Sequence, residues 1–326
     1  MKIKFEYPEG ATPIDDISGL KIPWIKTQAH LNRVEAENIS HAIKKHLMKS
    51  INAPLHWFNI TNLKKIHKDM FHDVWDWAGT FRITQTIPGV KHYQIQEALK
   101  NLCDDVFYWN SNGCELTFLE QAARIHHRLV FIHPFPNGNG RFSRIIADRY
   151  LKAWKCAFPI WPRKIQNESQ SRKQYILSLK SADSGEYNPL VDFMKNCGGK
   201  DPALSELLRY DFYKKNIKKT SLIKLIKAYL RQGCNVNETT NDHHPLQLAI
   251  KQGSEEISKM LIQSDANILN RDKSGFTPFE IAIANNYLNI AKIIYDKGYP
   301  YTPRHPPSPK LLNHYTKIYE FDKRYF

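Results

Sequence analysis

The 326-residue sequence predicts a mainly α-helical protein in two parts: a helical core interrupted by one β-hairpin, then a solenoid of short paired helices. Three observations carry this. Apolar residues recur at helical spacing through most of the first part. One stretch, residues 81–95 (FRITQTIPGVKHYQI), breaks that pattern with β-branched and aromatic residues around Pro88-Gly89, which reads as a hairpin or flap with a turn at its tip. In the second part, positions repeat every 33 residues: Pro245 and Pro278, Ala249 and Ala282, Ile257 and Ile290, Leu261 and Ile294.

In chain order, residues 1–27 hold prolines and glycines and read as irregular. A helix is expected over Thr27–Lys49, with Leu31, Val34, Ile39, Ala42 and Leu47 as its buried positions. A second helix is expected over Thr61–Phe71, and Trp75, Trp77 and Ala78-Gly79 follow as core residues and a turn. After the flap, helices are expected over Glu97–Trp109, Phe118–Ile132, Gly140–Lys155 and Ser169–Ser181. Gly198-Gly199 and Asp201-Pro202 read as a boundary. Each 33-residue copy then holds a proline, a short helix, a turn at Gly253 or Asn286, and a second helix. SLIKLIKAYLRQGCNVN reads as the back half of an earlier, degenerate copy, and the tail after Pro306-Pro307 and Pro309 as a cap.

Lysine and arginine outnumber acidic residues 47 to 32, a net charge of +15. Such a surface attracts anions, but no block of five or six like charges is present. No helix-turn-helix, zinc-finger or aromatic strand motif accompanies the charge, so no specific nucleic-acid partner is expected. The five cysteines are scattered and have no CxxC spacing, which argues against a disulfide framework or zinc site. His126, His127 and His133 lack the HExxH spacing of a zinc site. No run approaches the ~18 apolar residues of a membrane span, and the N-terminus has no secretory signal. A soluble protein made in a cytoplasm is expected.

The chemistry concentrates in His133–Arg144, HPFPNGNGRFSR. Gly138 and Gly140 let the backbone turn sharply and approach a ligand. A helix starting there aims its free N–H groups at one spot, which favours an anion. Arg141 and Arg144 share a face of its first turns, and two guanidinium forks suit a polyphosphate. His133 stands at the edge of the turn, where it can serve as a general base. No GxxxxGK[ST] loop is present.

HPFxxGNGRxxR resembles the signature of the Fic family, whose members usually transfer AMP from ATP to a protein hydroxyl. The resemblance extends over residues 1–198, through LKKIHKDMFHDVWDWAGTFR and SADSGEYNPLVDFM. It implies that His133 deprotonates the hydroxyl of a Ser, Thr or Tyr, with Gly138, Asn139, Gly140, Arg141 and Arg144 holding the phosphates of ATP. It also implies that the flap (Thr84, Gln85, Thr86, Ile87 and Tyr93) docks the target by strand addition. The family's motif has Asp or Glu, a Mg²⁺ ligand, where this chain has Asn137; an amide brings no charge, so metal affinity should fall. A different phosphate-linked transfer, or an interaction module that has lost chemistry, is the alternative this substitution leaves open. Many relatives carry an inhibitory helix, [ST]xxxE[GN], whose glutamate pairs with the second motif arginine. Glu35 and Glu37 are the candidates here.

The 33-residue repeat, clearest in GFTPFEIAIANNYLNIAKIIYDKG, resembles ankyrin repeats, with two clear copies over about 241–298. The expected division is therefore a Fic domain with an N-terminal helical extension over 1–198 and an ankyrin domain over 199–326 that recruits a protein target. Such a combination resembles bacterial effectors delivered into a host cell by a signal-independent route, and a role on the producing cell's own proteins, as in toxin-like relatives, is the open alternative.

Overall fold

The computed structural model describes residues 19–49, 51, 54–162, 169–300 and 323. The irregular start and the capping tail fall largely outside them. The chain forms two compact units: residues 1–110 with 117–201, and residues 111–116 with 202–326.

The first unit is built on α1 (Gln28–Leu47), α2 (Ile60–Phe71), α3 (Ile95–Ser111), α4 (Phe118–Ile132), α5 (Asn139–Ala153), α6 (Gln170–Asp183) and α7 (Asn188–Asn196). Local chemistry sets the starts. Thr27, Asn59 and Ser169 cap α1, α2 and α6 by accepting a backbone N–H three residues on. Thr117 and Glu120 form a capping box on α4. The central pair α4–α5 is wrapped by α1, α2 and α7, and Phe118, Ala122, Leu129, Phe142, Ile146, Tyr150 and Trp154 are fully buried in its core.

Two expectations are corrected here. The buried stripe of α1 runs through Leu31, Glu35, Asn38, Ala42 and His46, while Val34 and Ile39 are only half-buried. The helix is rotated because its polar residues have partners inside. Asn38 donates to the Asp69 carbonyl and to Asp73, and His46 pairs with Asp69 at 2.7 Å. The flap is not a hairpin, and no strand forms among the described residues of 81–95. One buried side chain replaces the strand ladder. The Arg82 guanidinium donates to the carbonyls of Thr84 (2.7 Å) and Val90 (2.5 Å), drawing the two ends of the loop together. A short 3₁₀ turn, His92–Gln94, leads into α3.

The second unit holds α8 (Leu204–Arg209), α9 (Asp211–Asn216), α10 (Lys219–Arg231), α11 (Pro245–Lys251), α12 (Glu255–Gln263), α13 (Pro278–Ala284) and α14 (Leu288–Asp296). Both repeat prolines sit in the first turn of a helix, where a missing N–H costs nothing. Gly253 and Asn286 take the left-handed conformation between the paired helices. Stacking runs α8–α11–α13 and α10–α12–α14, so α8 supplies the inner helix of the degenerate first copy. The 33-residue step from Pro245 instead points back into α9. His243 and His244 follow a turn formed by left-handed Asn241 and Asp242. Within this unit, Ser221, Lys224 and Arg231 donate to carbonyls of the 111–116 segment.

Candidate active site

The turn between α4 and α5 is held by side chains that hydrogen-bond to its backbone. His133 ends α4 in a left-handed conformation, φ 51°, and is 6% exposed. Its Nδ1 lies 3.3 Å from the Val130 carbonyl. A carbonyl only accepts, so Nδ1 carries the proton and Nε2 is the basic nitrogen. Burial first, then the nearby Arg82 charge, lowers the pKa of His133 to about 4. The ring is therefore neutral at physiological pH. In an NMR titration, the His133 ring signals should stay still from pH 7.5 to 5 and move near pH 4. A midpoint near 6.5 would show that the ring is not held in this buried setting.

Gly138 starts α5 at φ +77°, and a Cβ there would lie 2.4 Å from the Phe71 ring. Gly140 is different: a Cβ there would meet only Arg144 Nη1, at 3.7 Å. Arg144 therefore leans over the head of the helix. Its guanidinium also lies 6.0 Å from both the Trp161 and Tyr175 rings. The Asn139 side chain turns inward, accepting from the Phe135 N–H (3.0 Å) and donating to the Phe135 carbonyl (2.8 Å). It shapes the loop.

Two residues that sequence reasoning missed hold this turn from outside. Fully buried His67 donates from Nε2 to the Asn137 carbonyl (3.1 Å) and accepts the Gly79 N–H at Nδ1 (3.0 Å). Its ring stacks on Phe135 with centroids 3.6 Å apart, and burial lowers its pKa to about 3. Arg82 Nε donates to the His133 carbonyl at 2.6 Å, while its backbone N–H donates to Pro134. One guanidinium thus ties the 84–90 loop to the candidate base. His67→Ala leaves two buried polar groups unpaired beside a cavity and should cost about 3–5 kcal/mol of stability in urea unfolding. A cost below about 1 kcal/mol would mean that the turn does not depend on this ring.

Glu35 and Glu37 separate cleanly. Glu37 is exposed and lies 3.8 Å from Arg33. Glu35 is 3% exposed, accepts the Trp75 indole N–H at 2.7 Å, and pairs with Arg141 at 2.6 Å. The partner is the first arginine of the motif, whereas the resemblance implies the second, Arg144. Arg141 also lies over the Phe71 ring, 4.9 Å from its centroid.

The turn does not fit Mg²⁺. The Asn137 amide oxygen accepts the Gly138 N–H at 2.6 Å and lies 3.4 Å from Arg141 Nη2. It thus faces donors and a guanidinium charge, a poor setting for a hard cation. No cluster of three His, Cys, Asp or Glu side chains suited to a metal occurs among the described residues. His126 and His127 are both buried, bonded to Tyr175 and to Asp183 respectively. Thr84, Gln85, Ile87 and Tyr93 are exposed on the 83–94 loop and Thr86 is half-buried, but there is no strand edge for a target to extend.

Residues 57–151 match the family model described as Fic/DOC family. This chain carries a Fic/DOC domain. Residues 214–304 match a model of ankyrin repeats in three copies. Similar relatives of the Fic segment include a protein adenylyltransferase fic-1 of Caenorhabditis elegans, 32% identical over 36% of this chain and 22% of its own length. A protein adenylyltransferase Fic of Drosophila grimshawi is 40% identical over 37% of this chain and 24% of its own. One from Aedes aegypti is 31% identical over 46% and 30%. The chain thus spans less than a third of the length of these relatives. Among solved structures, the N-terminal Fic domain of a VirB-translocated Bep effector of Bartonella quintana aligns with a TM-score of 0.43 at 22% identity, covering 55% of this chain and 86% of that one. The Fic segment runs from before α2 into the last turn of α5 and includes the whole turn, whereas Glu35 on α1 lies before it. No helix among the described residues is long and apolar enough to cross a membrane.

Proposed function

We propose that this chain transfers AMP from ATP to a hydroxyl of a protein target. The observation that carries the reading is the convergence of a buried, neutral imidazole, the N-terminus of α5 and two arginines on one turn. His133 Nε2 takes the proton of the target hydroxyl, and the oxygen attacks the α-phosphorus. The bond to the β-phosphate oxygen breaks and pyrophosphate leaves. N–H groups at the start of α5 hold phosphate oxygens, and Arg141 and Arg144 receive the β- and γ-phosphates. No step is routed through a metal. The relatives' names support the adenylyl group over other transfers, and the loop at 83–94 is the docking segment.

In this proposal the Fic domain with its helical extension is 1–198, and the ankyrin domain, 199–326, recruits the protein target. Helix α1 is inhibitory: Glu35 occupies the Arg141 guanidinium that a phosphate would need.

The test is incubation of the full chain with ATP labelled in the α- or γ-phosphate, followed by intact-mass measurement of protein and candidate partners. Label from the α-phosphate alone, with an added mass of one AMP, is expected. The second reading, an interaction module without chemistry, is favoured by Asn137. It predicts no label on any partner even after substitution of Glu35.

A further inference from the structure

A basic-lined cavity lies away from the motif, and its chemistry does not depend on the proposed transfer. Between the C-terminal end of α1, the middle of α2 and the second half of α5 is a cavity of about 320 Å³. Lys45, Lys49, Lys65 and Arg149 line it, with His46 and Trp57. No acidic residue lines it. Asp69, an acidic partner of this lining, is already held by Lys45 at 2.9 Å and His46 at 2.7 Å. Lys49, Lys65 and Arg149 make no ion pair among the described residues. Like charges gathered around one concavity repel in the unliganded state, and a bound anion relieves that repulsion.

Two further observations distinguish this cavity from an ordinary solvated basic surface. The Arg149 guanidinium is anchored: Nη1 donates to the His46 carbonyl at 2.5 Å, and the group lies 4.7 Å from the Trp57 ring centroid. A planar fork fixed this way is oriented before any ligand arrives. Buried polar groups are normally satisfied, yet Arg149 Nε and Trp57 Nε1 are both buried without a hydrogen-bond partner. Trp57 itself is 7% exposed. The cavity is also separate from the phosphate turn. Arg149 is eight residues past Arg141 on α5, about 12 Å along the helix axis.

We infer that this cavity binds a small phosphate-bearing anion carrying more than one negative charge, gripped by Lys49, Lys65 and Arg149 against the Trp57 wall. Free polyphosphate and a nucleotide share that chemistry, and only the nucleotide offers a base to the indole.

The test is calorimetric titration of the full chain with inorganic pyrophosphate and, separately, ATP. A background of Arg141→Ala with Arg144→Ala removes the grip of the first site. One site should remain, weakening as salt is raised. Adding Lys49→Glu with Lys65→Glu should lower its affinity roughly tenfold or more. Both lysines are exposed, so the fold should survive, and the single Lys49→Ala and Lys65→Ala variants serve if the reversals unfold the chain. Equal affinity for both ligands assigns recognition to phosphate, and tighter ATP binding adds the indole. Absence of binding in the arginine-deficient background, or binding indifferent to Lys49 and Lys65, overturns the inference.

Discussion

His133→Ala should slow AMP transfer by about 10²–10⁴-fold, the range a positioned general base contributes, with ATP affinity changed only a few-fold. The separation follows from geometry. The phosphates are assigned to the start of α5 and the two arginines, while the imidazole is assigned only to the attacking hydroxyl. Single-turnover labelling and equilibrium ATP binding, measured on the same preparation, check both halves. A confounding effect is foreseeable and can be controlled. His133 sits at φ 51°, where alanine is strained by about 1–2 kcal/mol. Asparagine tolerates that conformation, so His133→Asn removes the base with less strain on the α4 terminus. If His133→Asn keeps wild-type transfer, the imidazole is not the base.

Glu35→Gln should raise ATP affinity about 10- to 100-fold, because a charge-assisted hydrogen bond to Arg141 worth about 1.5–3 kcal/mol no longer competes with the phosphates. Glu35→Ala should raise affinity similarly but lower stability by about 1–3 kcal/mol, because the buried Trp75 N–H then has no acceptor. The glutamine variant keeps an oxygen for the indole and should be nearly as stable as the native chain. Activation with loss of stability in one variant, and activation without it in the other, is a pattern that loosened packing would not produce. Unchanged ATP affinity in both would remove α1 from the regulation. Glu37→Gln, on the exposed side of the same helix, should change neither quantity.

What was legible in the sequence was local. The phosphate turn announces itself because two glycines, an asparagine and two arginines must lie within a few residues to build it. Helix positions were legible because apolar residues recur at helical spacing within each segment. The missing parts are contacts across long sequence distances. His67 reaches Asn137, Arg82 reaches His133, and Glu35 reaches Arg141 over 106 residues. A lone histidine or arginine inside a helix or loop carries no mark of such a partner. The 81–95 stretch read as a hairpin because β-branched residues flank a turn, yet a buried guanidinium satisfied its carbonyls instead of a neighbouring strand. The rotation of α1 had the same origin: apolar spacing puts Val34 and Ile39 inside, but Glu35 and Asn38 are buried because Trp75, Arg141, Asp69 and Asp73 surround them.

The Glu35–Arg141 pair also sets how the proposed enzyme would sense its substrate. The carboxylate is part of the same chain as the guanidinium, so it is never diluted. It acts as a tethered competitor whose effective concentration is fixed by the docking of α1. If Arg141 is free in only a small fraction of molecules, the apparent dissociation constant for ATP rises by the inverse of that fraction. In that proposal, anything that loosens α1 would shift the whole ATP response curve without touching a residue assigned to the nucleotide. In the proposed function, the helix that carries Glu35 would be a gain control, set outside the Fic segment.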